Sequence, residues 1–370
     1  MNYLLGNKEK FKLKIIYDNI IFSLQKAGGI SKYWAELIKR IIKKEDIIFY
    51  EFSNQNIYRN KLCIKTQKES SLNIKLLRYL PFMKALPQKS IFHSSYYRVS
   101  MQKNIINIIT LYDFIYEYFR KGLAKYVHVL QKGFAVKRSD GIICISENTK
   151  KDLLKYYPLI DESKLKVIYL GVGDAFIRLE NPSFYLINEF EVLRNKKYIL
   201  YVGERSCQKN FDITIKIMKE IKRYYLVVAG GKEFKDDEKN KMKDIKNRIY
   251  HFKDIDEGKL NILYNNAFCL LYPSSYEGFG LPILEAMQAG CPVISTNISS
   301  IPEIAGEAGI LVNDIKAENF IDKIKKLEIN EFRCEIIQKG LKQSLKFNWD
   351  KCFNETFGFY QEIWNKKFRK

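Results

Sequence analysis

Leu271-Tyr272-Pro273-Ser274-Ser275-Tyr276-Glu277-Gly278-Phe279-Gly280-Leu281-Pro282-Ile283-Leu284-Glu285-Ala286-Met287-Gln288-Ala289-Gly290-Cys291-Pro292-Val293-Ile294-Ser295 reads as strand, loop, helix and the start of a second strand. Phe268 to Tyr272 is an apolar run with the length and residue types of a buried strand. Pro282 falls where a first helical residue is favoured, and Gly290 where a left-handed residue follows a helix. The loop therefore sits at the carboxyl end of a strand. Gly278 and Gly280 lack Cβ atoms, so backbone N–H groups can approach a ligand closely. The helix start adds unpaired N–H groups and a partial positive charge. Together these make an anion site, yet Glu277 and Glu285 flank it. Carboxylates repel phosphate, so two of them imply a ligand with hydroxyls as well, because each can accept two hydrogen bonds from a diol. Phosphate plus two polyols describes a nucleotide sugar.

Glu277 and Glu285, with Gly278-Phe279-Gly280-Leu281-Pro282 between them, resemble the E-x7-E signature of family 4 (group 1) glycosyltransferases. An isolated G-F-G would read as an ordinary βαβ turn with solvent-facing glutamates; here the run from Pro273 to Val293 follows the signature almost without a break. The resemblance implies an α/β fold of the GT-B type, two Rossmann-like domains facing across a cleft. It also implies that Glu285 holds a ribose, that Glu277 holds hydroxyls of the transferred sugar, and that the backbone of Gly278, Phe279, Gly280 and Leu281 faces the diphosphate.

Upstream, Tyr198 to Val202 reads as a strand and Phe211 to about Arg223 as a helix, with Gly203 to Asn210 between them. Arg205 and Lys209 leave the strand's carboxyl end together. Two cations there suit a diphosphate whose charge grows as the sugar bond breaks. As plain surface charges they would be poorly placed, because a helix start disfavours cations. Their spacing resembles the family's Gly-x-Arg-x-x-x-Lys-Asn element, which grips the donor diphosphate. Tyr224 to Ala229 with Gly230-Gly231 is a further strand and turn, without a G-x-G-x-x-G pattern. Asp236 to Asn247 reads as a solvated helix. The resemblance places the nucleotide base near the backbone of Phe252. Ser299 to Ala305, Gly309 to Val312, and a charged helix near Glu318 to Leu327 complete this half.

The first half repeats the plan. Phe11 to Tyr17 is the first expected strand, Asp18 to Lys26 a connection, and Ala27 to Ser31 a tight turn before a helix bearing Trp34, Leu37, Ile38, Ile41 and Ile42 on one face. Gly28 and Gly29 resemble the family's loop facing the donor diphosphate and the acceptor. Ile47 to Phe52 is a second strand. Leu72 to Pro87 is read first as a surface helix packed on its own sheet, and second as a basic amphipathic element resting on a membrane or gripping a lipid-linked acceptor. Strands follow at Ile91 to Tyr97 and Ile105 to Asp113. The family often has His-Asp at the end of the latter; this chain has Tyr112-Asp113. Tyr112 keeps a hydroxyl, Asp113 is a candidate base or acceptor ligand, and Glu117 is the alternative. His93 reads as a packed or capping residue. Gly141 to Ile145 is a strand, Ser146 caps the helix Glu147 to Tyr156, and Lys166 to Leu170 is the last strand of this half. The expected division is 1–172 as acceptor-binding domain, 173–196 as linker, 197–346 as nucleotide-sugar domain, and 347–370 as a helix crossing back onto the first domain.

The 370 residues suffice for two domains. Seven scattered cysteines without a C-x-x-C argue for reduced thiols, and the three histidines show no zinc-ligand spacing. No apolar run reaches membrane-spanning length and no signal-peptide pattern opens the chain, so a cytoplasmic protein is expected, peripheral to the inner face of the cell membrane if it docks there. The formal charge of +21 attracts phosphates: nucleotide donors, an anionic leaflet or nucleic acid, although AT-biased composition accounts for such lysine equally well.

The expected activity is retaining transfer of a hexose, with mannose the favoured sugar. The donor is GDP-mannose or a UDP-sugar, and the acceptor a surface polysaccharide or lipid-linked glycan. Arg205 and Lys209 stand in for a metal, and no cofactor is expected. The alternatives are another GT-B activity (epimerase, phosphorylase or synthase) and a basic nucleic-acid-binding protein. The latter needs aromatics interleaved in a basic groove, which the sequence lacks.

Overall fold

The computed structural model describes residues 13–44, 46–69 and 74–369. Phe11 of the expected first strand and Leu72 of the expected 72–87 element lie outside the described residues.

Among these residues, the first half forms a parallel seven-stranded sheet: β1 (Lys14–Asp18), β2 (Asp46–Glu51), β3 (Gln67–Lys68), β4 (Ser90–Ser94), β5 (Ile105–Leu111), β6 (Gly141–Cys144) and β7 (Leu165–Val167). Their order is β3-β2-β1-β4-β5-β6-β7. The second half forms a parallel six-stranded sheet from β8 (Tyr198–Val202), β9 (Tyr225–Ala229), β10 (Ile249–Phe252), β11 (Cys269–Tyr272), β12 (Val293–Thr296) and β13 (Gly309–Val312), in the order β10-β9-β8-β11-β12-β13. The fold is the α/β, two-domain Rossmann-like arrangement expected from the sequence. Central strands are near-continuous apolar runs, as buried parallel strands must be; every residue of β5 is buried.

This topology fixes where a ligand goes. Strand order reverses between β1 and β4, and again between β8 and β11. Open parallel sheets bind ligands beyond the carboxyl ends at such a reversal. β8 runs directly into Gly203–Asn210 and β11 into the Glu277 loop, so both elements flank the second reversal. β1 leads to Gly28–Gly29, and β5 runs into Tyr112–Asp113.

The closing helix, Trp349–Phe368, packs on the first domain. Tyr360 Oη lies 3.0 Å from Tyr17 Oη and 2.5 Å from His93 Nδ1. Asp350 pairs with Arg40 at 2.6 Å, and Lys367 with Asp140 at 2.8 Å. Residues 173–196 are fastened to the second domain: Ile177 and Leu179 N–H donate to the Asn261 and Asn265 side chains, and Phe190 and Leu193 are buried.

Three local expectations change. The helix expected within 72–87 shrinks to Ile74–Leu77. Pro81 and Pro87 remove donors and break the helical ladder, and Leu76 and Met83 face solvent rather than a sheet. The solvated helix at 236–247 is α-helical only over Asp236–Lys241, then tightens into a 3₁₀ stretch at Lys243–Arg248. Helices Leu123–Arg138 and Asn330–Ser344 have no counterpart in the sequence reading. All seven cysteines are free. No helix among the described residues is long and apolar enough to cross a membrane.

Candidate active site between two Rossmann-like domains

Past β11, the loop to helix Leu281–Gln288 is held from behind by hydroxyls. Ser300 Oγ donates to the carbonyls of Glu277 (3.0 Å) and Phe279 (2.8 Å), and Ser299 Oγ accepts from Glu277 N–H (2.9 Å). Gly280 caps the helix at φ +109°, a backbone conformation that a side chain would strain. Pro282 lies in the first turn. The loop is thus rigid where the sequence requires a preformed anion cradle.

Lys209 ends a short 3₁₀ turn, Cys207–Lys209, after β8. Its Nζ donates to Glu277 Oε1 at 2.5 Å and to Tyr272 Oη at 2.6 Å. An ammonium has three donors, so one remains for a ligand. Arg205 goes elsewhere. Its Nε pairs with Glu238 at 2.9 Å, its Nη2 donates to the carbonyls of Lys232 and Glu233, and its guanidinium lies 4.5 Å from the Phe234 ring centre. Only Nη1 is buried without a partner. Lys209 joins Glu277, while Arg205 is built into the loop after β9 with Nη1 left without a protein partner. Phe252 ends β10; its carbonyl accepts from Gly230 N–H at 2.7 Å and its ring meets Phe190.

The first domain supplies the facing wall. A Cβ on Gly29 would lie 3.5 Å from Leu281 Cδ1, so the Gly28–Gly29 turn faces the helix start across the cleft. Gly278 meets Tyr112 more tightly still: a Cβ there would lie 1.8 Å from the Tyr112 carbonyl oxygen and 3.1 Å from Asp113 Cβ. Ser146 Oγ donates to the Gly278 carbonyl at 2.7 Å. Tyr276 Oη accepts from Phe114 N–H (3.0 Å) and donates to Asp152 (2.6 Å). Glu303 caps the first-domain helix Glu147–Tyr156 from the opposite domain, accepting from the N–H groups of Glu147 (2.9 Å) and Asn148 (3.0 Å) and from Tyr169 Oη (3.0 Å). An anion at a helix start is favourably placed. The cleft is closed.

Asp113 thus arrives beside Gly278 and Glu277. Burial raises its carboxyl above the ordinary range, partly offset by the Lys132 ammonium. Lys132 donates to the Asp113 carbonyl at 2.8 Å and pairs with Glu117 at 2.9 Å, both side chains buried. Glu117 is spent on that pair. Tyr112 Oη donates to the Ser95 carbonyl within the first domain, so its hydroxyl does not replace the missing cleft histidine. His93 is a packed residue between Tyr360 and Thr110, and burial lowers its pKa to about 3.

Glu285 carries a partner that sequence reasoning missed. Lys32 Nζ lies 3.0 Å from Glu285 Oε1 and 2.8 Å from Glu257 Oε1, and 4.8 Å from the centre of the Phe176 ring. Tyr264 Oη donates to the other Glu285 oxygen at 3.3 Å. A signal existed. Lys32 sits in the first turn of helix Gly29–Ile41, where the dipole disfavours a cation unless carboxylates wait for it.

Two parallel nucleotide-fold domains closed over paired acidic and basic residues define the GT-B class. Residues 27–176 match Glycosyltransferase Family 4, and residues 186–343 match Glycosyl transferases group 1. The chain belongs to this glycosyltransferase family. It is 33% identical over 174 residues to the O-antigen chain mannosyltransferase B of Escherichia coli, covering 44% of this chain and 45% of that protein. The match therefore spans about half that relative's length. Among solved structures it resembles the sucrose-phosphate synthase of Thermosynechococcus elongatus (TM-score 0.75, 16% identity, 96% of this chain and 100% of that one). It also resembles Anabaena HepE in complex with UDP-glucose (TM-score 0.75, 13% identity, 95% and 100%). At such identities the likeness concerns the fold.

Proposed function

We propose that the protein transfers a hexose, with retention of anomeric configuration, from a nucleoside-diphosphate sugar to a growing surface polysaccharide or lipid-linked glycan. The observation that carries this reading is the Lys209–Glu277 pair at the β8/β11 reversal, closed against Asp113. Glu277 accepts sugar hydroxyls, and Lys209 keeps one donor for the diphosphate. Glu285, with lone pairs beyond those used by Lys32 and Tyr264, accepts the ribose diol. The Gly28–Gly29 turn and the start of helix Leu281–Gln288 face the same space and add backbone dipoles.

In this mechanism the bond from the sugar's anomeric carbon to the phosphate oxygen breaks. The acceptor oxygen bonds the same face, and its proton passes to the leaving phosphate. The protein contributes positioning and fixed charge, without a metal. Asp113 orients the acceptor hydroxyl. GDP-mannose is the favoured donor because the matched Escherichia coli protein is a mannosyltransferase; a UDP-sugar is the alternative, since HepE is a UDP-glucose complex.

The test is a nucleotide-sugar panel with and without a lipid-linked acceptor, following nucleoside diphosphate release and the anomeric configuration of the product. Acceptor-dependent release with retention is expected. Turnover without acceptor points to an epimerase or phosphorylase, and no turnover with any donor overturns the proposal.

A further inference from the structure

Tyr272 ends β11 at its carboxyl side, and β11 lies beside β8 in the sheet. Its phenol reaches the loop that follows β8. The residue is 1% exposed, and Ser295 Oγ donates to its carbonyl at 2.6 Å, so ring and backbone are both held. Nothing in the proposed transfer uses it. A phenylalanine would fill the same space, so a buried hydroxyl here needs a reason of its own.

The two loops are first joined through their backbones. Ser275 N–H donates to the Gln208 carbonyl at 2.8 Å, and Asn210 Nδ2 donates to the Pro273 carbonyl at 2.8 Å. Those bonds fix the backbone of Lys209 against the Glu277 loop, but a long flexible stem still separates it from Nζ. Nζ is fixed by what it touches: Glu277 Oε1 at 2.5 Å and Tyr272 Oη at 2.6 Å, with the Tyr272 ring centre 4.6 Å away. The three N–H bonds of an ammonium point in tetrahedral directions, so holding two of them settles the third. With Glu277 alone, the ammonium turns about that single bond and its other protons sweep a cone. Tyr272 stops the rotation.

It does so without charge. Burial, and then the neighbouring Glu277 carboxylate, hold the phenol well above the ordinary tyrosine range, so Oη stays a neutral acceptor. A second carboxylate in its place would neutralise Lys209 and repel a diphosphate. We propose that Tyr272 is a positioning residue that orients Lys209 Nζ toward the phosphates of a nucleoside diphosphate. The inference rests on the reading of Lys209 as the diphosphate donor given above. Tyr272 acts through the ammonium, so its effect is greatest where phosphate charge is greatest, in the transition state and in the nucleoside diphosphate product.

The test is a double-mutant cycle on the full chain with Tyr272→Phe, Lys209→Ala and their combination, read by calorimetry with GDP, UDP and the matching nucleosides. Tyr272→Phe removes the oxygen and keeps the ring. Nucleoside diphosphate affinity should fall about ten-fold, as for the loss of one hydrogen bond to a charged group, while nucleoside affinity stays the same. In the Lys209→Ala background the same substitution should change nothing. With a donor that turns over, kcat should fall further than the donor KM rises. Unchanged diphosphate affinity in Tyr272→Phe overturns the inference. So do equal losses in the two backgrounds, or a matching loss of nucleoside affinity, since the residue would then only support the fold. A coupled cycle with no sugar transferred from any donor removes the transfer reaction alone. Transfer with an uncoupled cycle removes the role of Tyr272 alone. A parent that binds no nucleoside diphosphate overturns both.

Discussion

Lys32 of the first domain and Glu285 of the second meet at 3.0 Å across the closed cleft, and Glu257 completes the contact at 2.8 Å. Lys32 is buried, and the two carboxylates hold its ammonium charged above the ordinary lysine range despite that burial. The residue that reads the ribose in the proposed function is therefore also a domain-closing contact. Replacing Lys32 by Met leaves the buried Glu285 and the half-buried Glu257 without a cation, and breaking a fully buried pair costs at most about 3–5 kcal/mol. Nucleoside diphosphate affinity, measured by calorimetry, should fall at least about ten-fold. Lys32→Arg should retain most of it, and adding Glu257→Gln to Lys32→Met should recover part. Unchanged affinity in Lys32→Met would separate closure from donor reading.

The two cations of the second domain should behave differently. Lys209→Ala removes a cleft donor whose neighbours are Glu277 and Tyr272. By analogy with losing one oxyanion donor, kcat should drop about 10²-fold or more, with a fall in Tm smaller than that of Arg205→Ala because the Lys209 side chain is 17% exposed against 5% for Arg205. Arg205→Ala removes a buried pair with Glu238 and the stack on Phe234, so Tm should fall as well as rate. Matched Tm values for the two variants would contradict the separate placements described above.

Gly278→Ala tests the closed cleft directly. Its Cβ would lie 1.8 Å from the Tyr112 carbonyl, a backbone atom that cannot swing aside. The domains must then part. Scattering should show a larger radius of gyration, and kcat/KM should collapse while each domain stays folded. A variant as compact and active as the parent would show that closure of this kind is not needed.

His93 makes a pH prediction. Its pKa is lowered to about 3 in the fold by burial, against about 6.5 unfolded. The unfolded chain therefore binds more protons between these values, and stability falls as pH drops. The contribution is fully present above about pH 6.5, and about 2 kcal/mol of it is gone at pH 5. His128, also lowered to about 3, adds to the slope. In a denaturant series, His93→Gln should lose stability at pH 7 yet show a shallower decline toward pH 5. Parallel pH profiles for parent and variant would remove His93 from this account.

The strand–loop–helix–strand unit around Glu277 was legible because each signal is local: an apolar run, two glycines, a proline at a helix start and a glycine at its end. The two-domain α/β fold followed from meeting that pattern twice. Asp113, Lys209 and Glu277 could be singled out one by one for the same reason. The destination of Arg205 could not, since Glu238 reaches it only through the loop after β9. Nor could the failure of the 72–87 helix, where prolines outweighed an amphipathic pattern, or the helix Leu123–Arg138, which is tied to the Asp113 loop by the Lys132–Glu117 pair. Lys32 and Glu285 stand 253 residues apart. Chain geometry within a few turns fixes which elements form. Which charges meet is decided only when two domains close, because a buried cation takes whatever carboxylate the packing brings within reach.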